Sequence, residues 1–239
     1  MEENYSTNAS EANAFSILCD ASSLISLTDS CCLPILESFR EKMKGGLFIS
    51  PEVKDECIDY PLKRKRYQLS ALRLQMALAR NVFKLLSAKE SANHEKLKEQ
   101  FLFTANNIFY INGKPLRLVH GGEADMLALA YEFGIGNIMI DERTTRMLVE
   151  APLLMREHLK REFGREIGLN KLYLSRFRSL TSNIHILRSS EVLILAYEKG
   201  GFDQFGKMKK TALEAALYAI KFAGCSLSFD EIKEALKGE

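Results

Sequence analysis

The sequence predicts an α/β fold on a short, mostly parallel sheet. Five stretches of strand length are apolar and partly β-branched: FSILCD (15–20), GLFIS (46–50), NVFKLL (81–86), IGNIMID (135–141) and NIHILR (183–188). Several are nearly continuous in apolar character, as strands covered on both faces should be. Helical patterns fill the intervals, and strands alternating with helices are the mark of βα units.

In chain order, residues 1–13 are polar and acidic and read as a disordered lead. They lack the basic start and apolar middle of a secretion signal. SSLISLTDSCCLPILESFREKM follows the first strand as helix, and SPEVKDECI opens another after the second, with Ser-Pro at its start;. GEADMLALAYEF precedes the fourth strand. Two segments look like additions to this frame. Residues 88–118 hold a charged helix and a Gly-Lys-Pro turn, and residues 152–180 begin at Pro152 and run as a basic helical stretch. Residues 206–239 read as a C-terminal extension of two helices parted near Gly224, the second opened by Ser228 and Glu231 as a capping box;.

Composition narrows the function classes. The chain has 239 residues, 46% hydrophobic and 27% charged, the balance of a globular protein with a real core;. Its net charge of +2 means that any nucleic-acid surface must be a local patch;. Five cysteines without a CxxC pair argue against a zinc ribbon or a disulfide framework and for reduced thiols in a cytoplasmic protein;. No apolar run is long enough for a membrane span.

The chemistry lies in the acids. FSILCDASSL brings a strand to its end at Asp20, with Ser22 two residues on. SPEVKDEC places Glu56 in the helix after the second strand, with Glu52 as a weaker rival. HGGEADMLALA sets Glu123 and Asp125 in the first turn of a helix, and IMIDER ends a strand at Asp141 and Glu142. Each acid alone could be a helix cap or a favourable charge at a helix start. Four segments delivering acids to one sheet edge would repel unless a cation neutralised them. For an all-oxygen carboxylate cluster that cation is Mg²⁺ or Mn²⁺.

The ordered set of Asp20 with Ser22, SPEVKDE, GEADMLALA and IDERTTR resembles the PIN domain family. It is most similar to the branch with a Gly-Glu-Ala-acid helix and an Ile-Asp-Glu strand end. The resemblance covers residues 14–205, interrupted by the two additions. It implies a three-layer α/β/α sandwich with the acidic cluster at the carboxyl edge of its sheet, and metal-dependent ribonuclease activity. By position it makes Asp20, Glu56, Asp125 and Asp141 the catalytic, metal-holding quartet, with Ser22 steadying Asp20 or a metal-held water. Glu123 competes with Asp125 for the third place. The two lie on different sides of a regular helix, and Asp125 ranks first. Glu142 is a further candidate ligand. The chain departs from the pattern at Met139, where many members have Thr or Ser, and at Glu142, where a second Asp or Asn is common.

Positive charge for substrate falls in three places. Lys63, Arg64, Lys65 and Arg66 begin a helical run, Arg143 and Arg146 follow Asp141, and Lys171, Arg176 and Arg178 interleave with Tyr173 and Phe177;. The plainer alternative for each is a solvated face or a packed aromatic. The four histidines have no zinc or dyad spacing;.

The leading reading is an endoribonuclease hydrolysing RNA phosphodiester bonds in RNA processing or maturation. Beside it stand a PIN-like module that binds RNA or protein without cutting and a toxin ribonuclease. The partners left open are RNA, a second copy of the chain, a ribonucleoprotein and an antitoxin protein. A phospho-aspartate fold is disfavoured, because Ser22 stands where a second Asp is expected and no later Thr/Ser and Lys pair is evident.

Overall fold

A computed structural model describes residue 13, residues 15–88 and residues 92–237. Except for Asn13, the predicted disordered lead lies outside the described residues. β1 (Ile17–Cys19) ends at Asp20, which caps α1 (Ala21–Asp29). The helical pattern beyond it breaks at Cys31, whose φ of 57° is left-handed, and resumes as α2 (Leu33–Lys42) with Pro34 in the first turn;. After β2 (Leu47–Ile49) the Ser50 hydroxyl accepts from the Val53 N–H at 3.2 Å and starts α3 (Pro51–Lys54);. That helix widens into a π turn over Asp55–Asp59, then a 3₁₀ turn over Pro61–Lys63. Lys63–Arg66 therefore lie before the next helix, α4 (Gln68–Ala79), rather than within it; β3 (Lys84–Leu85) follows.

The first addition contains α5 (Ala92–Asn106) and the hairpin β4 (Phe109–Ile111) and β5 (Lys114–Pro115). Asn112 and Gly113 turn it at φ 51° and 76°, the left-handed pair that a two-residue hairpin loop requires;. Next come α6 (Gly121–Phe133), β6 (Asn137–Met139) and α7 (Arg143–Glu150). The second addition holds α8 (Pro152–Phe163), β7 (Gly168–Leu169) and α9 (Lys171–Leu180). β8 (His185–Leu187) and α10 (Ser189–Glu198) complete the sheet frame. The chain then runs through α11 (Lys209–Ala223) and α12 (Phe229–Lys237). Ser228 and Glu231 form the predicted capping box, with reciprocal bonds of 3.1 and 2.7 Å.

All five predicted strands join one parallel sheet in the order β3-β2-β1-β6-β8, flanked by helices on both faces in the predicted three-layer arrangement. Ile17, Leu18, Cys19, Leu47, Phe48 and Ile49 are all buried, which is why their sequences do not alternate;. From β1 the sheet grows through β2 to β3 on one side, and through β6 to β8 on the other. The β1/β6 boundary is thus the switch point where a parallel sheet opens a crevice at its carboxyl ends.

A second, antiparallel sheet, β5-β4-β7, is not anticipated by the sequence. It unites the two additions. Phe109 of β4 is in register with Leu169 of β7, and Phe101 of α5 meets Phe177 of α9 edge-on at 6.4 Å. Strands this short carry no periodicity to read. Among the described residues no helix is long and apolar enough to cross a membrane. Cys19, Cys31, Cys32, Cys57 and Cys225 are free thiols, and burial pushes Cys32 and Cys57 up to about 12.

Candidate acidic site at the carboxyl edge of the sheet

Asp20 stands at the carboxyl end of β1, its backbone N–H donating to the Met139 carbonyl at 2.9 Å. One carboxylate oxygen accepts from both the backbone N–H and the hydroxyl of Ser22, fixing the side chain at the start of α1. Ser22 therefore holds Asp20, as the resemblance implies. Burial nevertheless raises the pKa of Asp20, with the charge of Glu123 adding to the rise and the Ser22 bonds opposing it;.

Glu56 sits in the π turn. Such turns are frequent at functional positions, and here the wide turn carries Glu56 toward the same edge. Its pKa is also raised, first by burial and then by the charges of Asp20 and Glu123. Three acids from three segments thus sense one another: Asp20, Glu56 and Glu123. Glu123 stands in the first turn of α6, where Oε2 accepts from the His120 backbone N–H at 2.9 Å.

Asp125 is engaged on the other side of α6. It is 4% exposed, and its Oδ1 lies 3.0 Å from His94 Nε2 and 3.3 Å from Lys98 Nζ. The other ring nitrogen of His94 meets Glu132 Oε2 at 2.9 Å. Two residues along a helix turn a side chain through roughly 200°. Glu123 therefore faces the sheet edge while Asp125 faces α5, binding the first addition to the frame. Glu52 lines both the small cleft on Asp125's side and the cleft beside Glu56.

Asp141 is also engaged by a helix start. The register pairs Cys19 with Met139, so Asp141 lies one residue further along its strand than Asp20 does on β1. There it is 6% exposed and meets the N-terminus of α10, where both its oxygens accept from Ser189 at 2.8 Å. A carboxylate at that helix end is favourable by itself. Glu142 caps α7, with Oε1 accepting from Thr144 N–H at 2.7 Å and Oε2 from Thr145 N–H at 2.8 Å. Of the expected acids, Asp20, Glu56 and Glu123 sense one another, while Asp125 bonds His94 and Lys98, Asp141 bonds Ser189 and Glu142 caps α7.

The donor set of the trio fits a hard divalent cation: all oxygen, no thiol or imidazole, and two carboxyls whose ionised forms are disfavoured without a counter-charge. Among the described residues, no three His, Cys, Asp or Glu side chains are drawn to a common coordinating point.

Of the basic candidates, Lys63, Arg64, Lys65 and Arg66 are exposed in the connection after Glu56. Arg143 opens α7 in solvent, whereas half-buried Arg146 lowers the pKa of Glu150 against a larger effect of burial. Lys171, Arg176 and Arg178 are exposed on α9, in the united additions. Phe177 is fully buried in the core, so it cannot stack on a base, and Tyr173 packs edge-on against Phe103 at 5.6 Å. Sequence reasoning missed His94, Lys98 and Ser189 as partners of the acids, since nothing local links them. It also passed over Tyr60 and Tyr67, whose signal is their place at the two ends of YPLKRKRY.

Compared with protein-family models, curated proteins and solved structures, the chain matches none of them.

Proposed function

We propose that this protein is a metal-dependent endoribonuclease whose site is the trio Asp20, Glu56 and Glu123. The observation that carries this reading is the gathering of three acids from separate segments at the switch point of a parallel sheet, with Asp20 and Glu56 raised in pKa first by burial and further by neighbouring carboxylates. Uncompensated, such a cluster costs stability, and a chain whose acids served only as caps would not need to gather them.

A Mg²⁺ or Mn²⁺ ion held by these carboxylates would supply a water acidic enough to attack phosphorus and positive charge beside the leaving oxygen. The residues of the chain do the positioning. Ser22 fixes the rotamer of Asp20, the π turn aims Glu56, and the His120 N–H orients Glu123. Lys63, Arg64, Lys65 and Arg66 offer phosphate-binding charge next to Glu56.

The test is incubation of purified protein with labelled RNAs in Mg²⁺, Mn²⁺ or EDTA, alongside Asp20→Asn. Cleavage that requires metal and is lost in the variant is the expected result. RNA that is bound and never cut, with or without metal, would favour the second reading, a non-cutting RNA-binding module. One observation speaks for that alternative: both oxygens of Asp141, the strand-end acid of the resemblance, are already engaged by Ser189.

A further inference from the structure

A cleft of about 560 Å³ opens beside Glu56, and Tyr60, Arg64 and Tyr67 line it together with Ile25 of α1 and Pro61. Tyr60 and Tyr67 are 64% and 46% exposed, so both rings are open to a ligand. The chain holds them in place: the Tyr67 N–H donates to the Arg64 carbonyl at 2.8 Å, and Tyr60 closes the π turn by donating to Asp55 at 2.9 Å. A cation accompanies each ring, with Lys63 Nζ 5.3 Å from the Tyr60 centroid and Arg66 Cζ 5.4 Å from that of Tyr67.

We infer that Tyr60 and Tyr67 form a stacking subsite for unpaired nucleobases, which selects single-stranded RNA and leads its backbone past Glu56. The inference rests on the ribonuclease reading for its RNA. Charge decides how the ligand lies. Glu52, Asp55 and Glu56 also border the cleft, so phosphate is repelled from it while a neutral base bearing amino donors is accepted;. Phosphates then run along the neighbouring Lys63, Lys65 and Arg66, with Arg64 itself in the cleft lining. Aromatic rings alternating with cations along one groove are the general solution for holding single strands without reading their sequence. A base pair cannot enter such a site, since its faces are already stacked in the duplex.

The test is binding in EDTA, where no metal-dependent cleavage occurs. Single-stranded RNA carrying 2-aminopurine is titrated with wild type, Tyr60→Ala, Tyr67→Ala and the two Tyr→Phe variants, with a duplex of the same sequence for comparison. The expected result is a quench of 2-aminopurine on binding, affinity lowered by about tenfold or more in each alanine variant, near wild-type affinity in the phenylalanine variants, and weaker duplex binding. Alanine variants that bind as wild type does, or a duplex bound equally well, would overturn the inference. No binding of RNA at all would also overturn it and leave the cleft as a protein-docking surface. A quench in EDTA without cleavage in Mn²⁺ would leave the subsite standing and remove only the nuclease.

Discussion

Both carboxylate oxygens of Asp141 accept hydrogen bonds from Ser189, Oδ1 from the backbone N–H and Oδ2 from the hydroxyl, each at 2.8 Å. The end of β6 is thereby tied to the start of α10. Asp141→Ala should destabilise the fold by about 2 kcal/mol, because it leaves a buried N–H and hydroxyl without their acceptor. Asp141→Asn should cost less, since the amide oxygen can still accept from the N–H. Urea unfolding of the two variants measures the difference, and equal stability to wild type in both would show that the tie is not needed.

Glu123 and Asp125 separate the two assignments of the third acid. Glu123→Gln should abolish the rise in melting temperature that Mn²⁺ brings, while Asp125→Asn should melt lower and still respond to Mn²⁺. Thermal unfolding with and without metal reads both effects.

The pH dependence has a defined sign. Asp20 and Glu56 have folded pKa values above their ordinary 3.8 and 4.5, so their ionised forms weigh against the fold at neutral pH;. That penalty fades as pH falls through the raised values toward the ordinary ones. Metal should therefore stabilise the protein at neutral pH and much less in mild acid, and Glu56→Gln should raise the metal-free melting temperature. A melting curve series over pH with Mn²⁺ and EDTA checks this.

Arg188 bonds Glu231 at 2.8 Å and the Ser226 carbonyl at 2.8 Å, holding α12 against the frame. Against an opposing effect of burial, the Ser228 cap and then this arginine bring the pKa of half-exposed Glu231 down to about 2 from 4.5. Its contribution is full above pH 4.5 and is lost as pH falls toward 2;. Hydrogen exchange should show α12 losing protection in that window before the sheet does, and Glu231→Gln should remove the pH dependence.

Replacing Lys63, Arg64, Lys65 and Arg66 together should weaken RNA binding. It should also flatten the dependence of log K on log salt by about 0.7 for each phosphate no longer neutralised. Affinity measured across a salt series decides it. An unchanged slope would make the run a solvated face.

The main sheet was legible because Leu18, Phe48 and Ile138 belong to buried runs whose apolar character needs no partner to be recognised;. The cap at Ser228 was legible because a capping box is local. The site was legible only in part. Asp20 and Ser22 are two residues apart and their bond is local, so the sequence carried it. The partners of Asp125, His94 and Lys98, arrive on a helix from the first addition and have no local signal. Asp141 likewise depended on Ser189, far along the chain. The β4–β7 pairing, with two residues of β7 against β4, left no pattern at all.

Cleavage of a labelled single-stranded RNA in Mn²⁺, compared between wild type and Glu123→Gln with Asp125→Asn as the folded comparison, bears most closely on the trio. Wild type and Asp125→Asn should cut, and Glu123→Gln should not. Undiminished cleavage by Glu123→Gln would contradict the assignment of Asp20, Glu56 and Glu123 as the site.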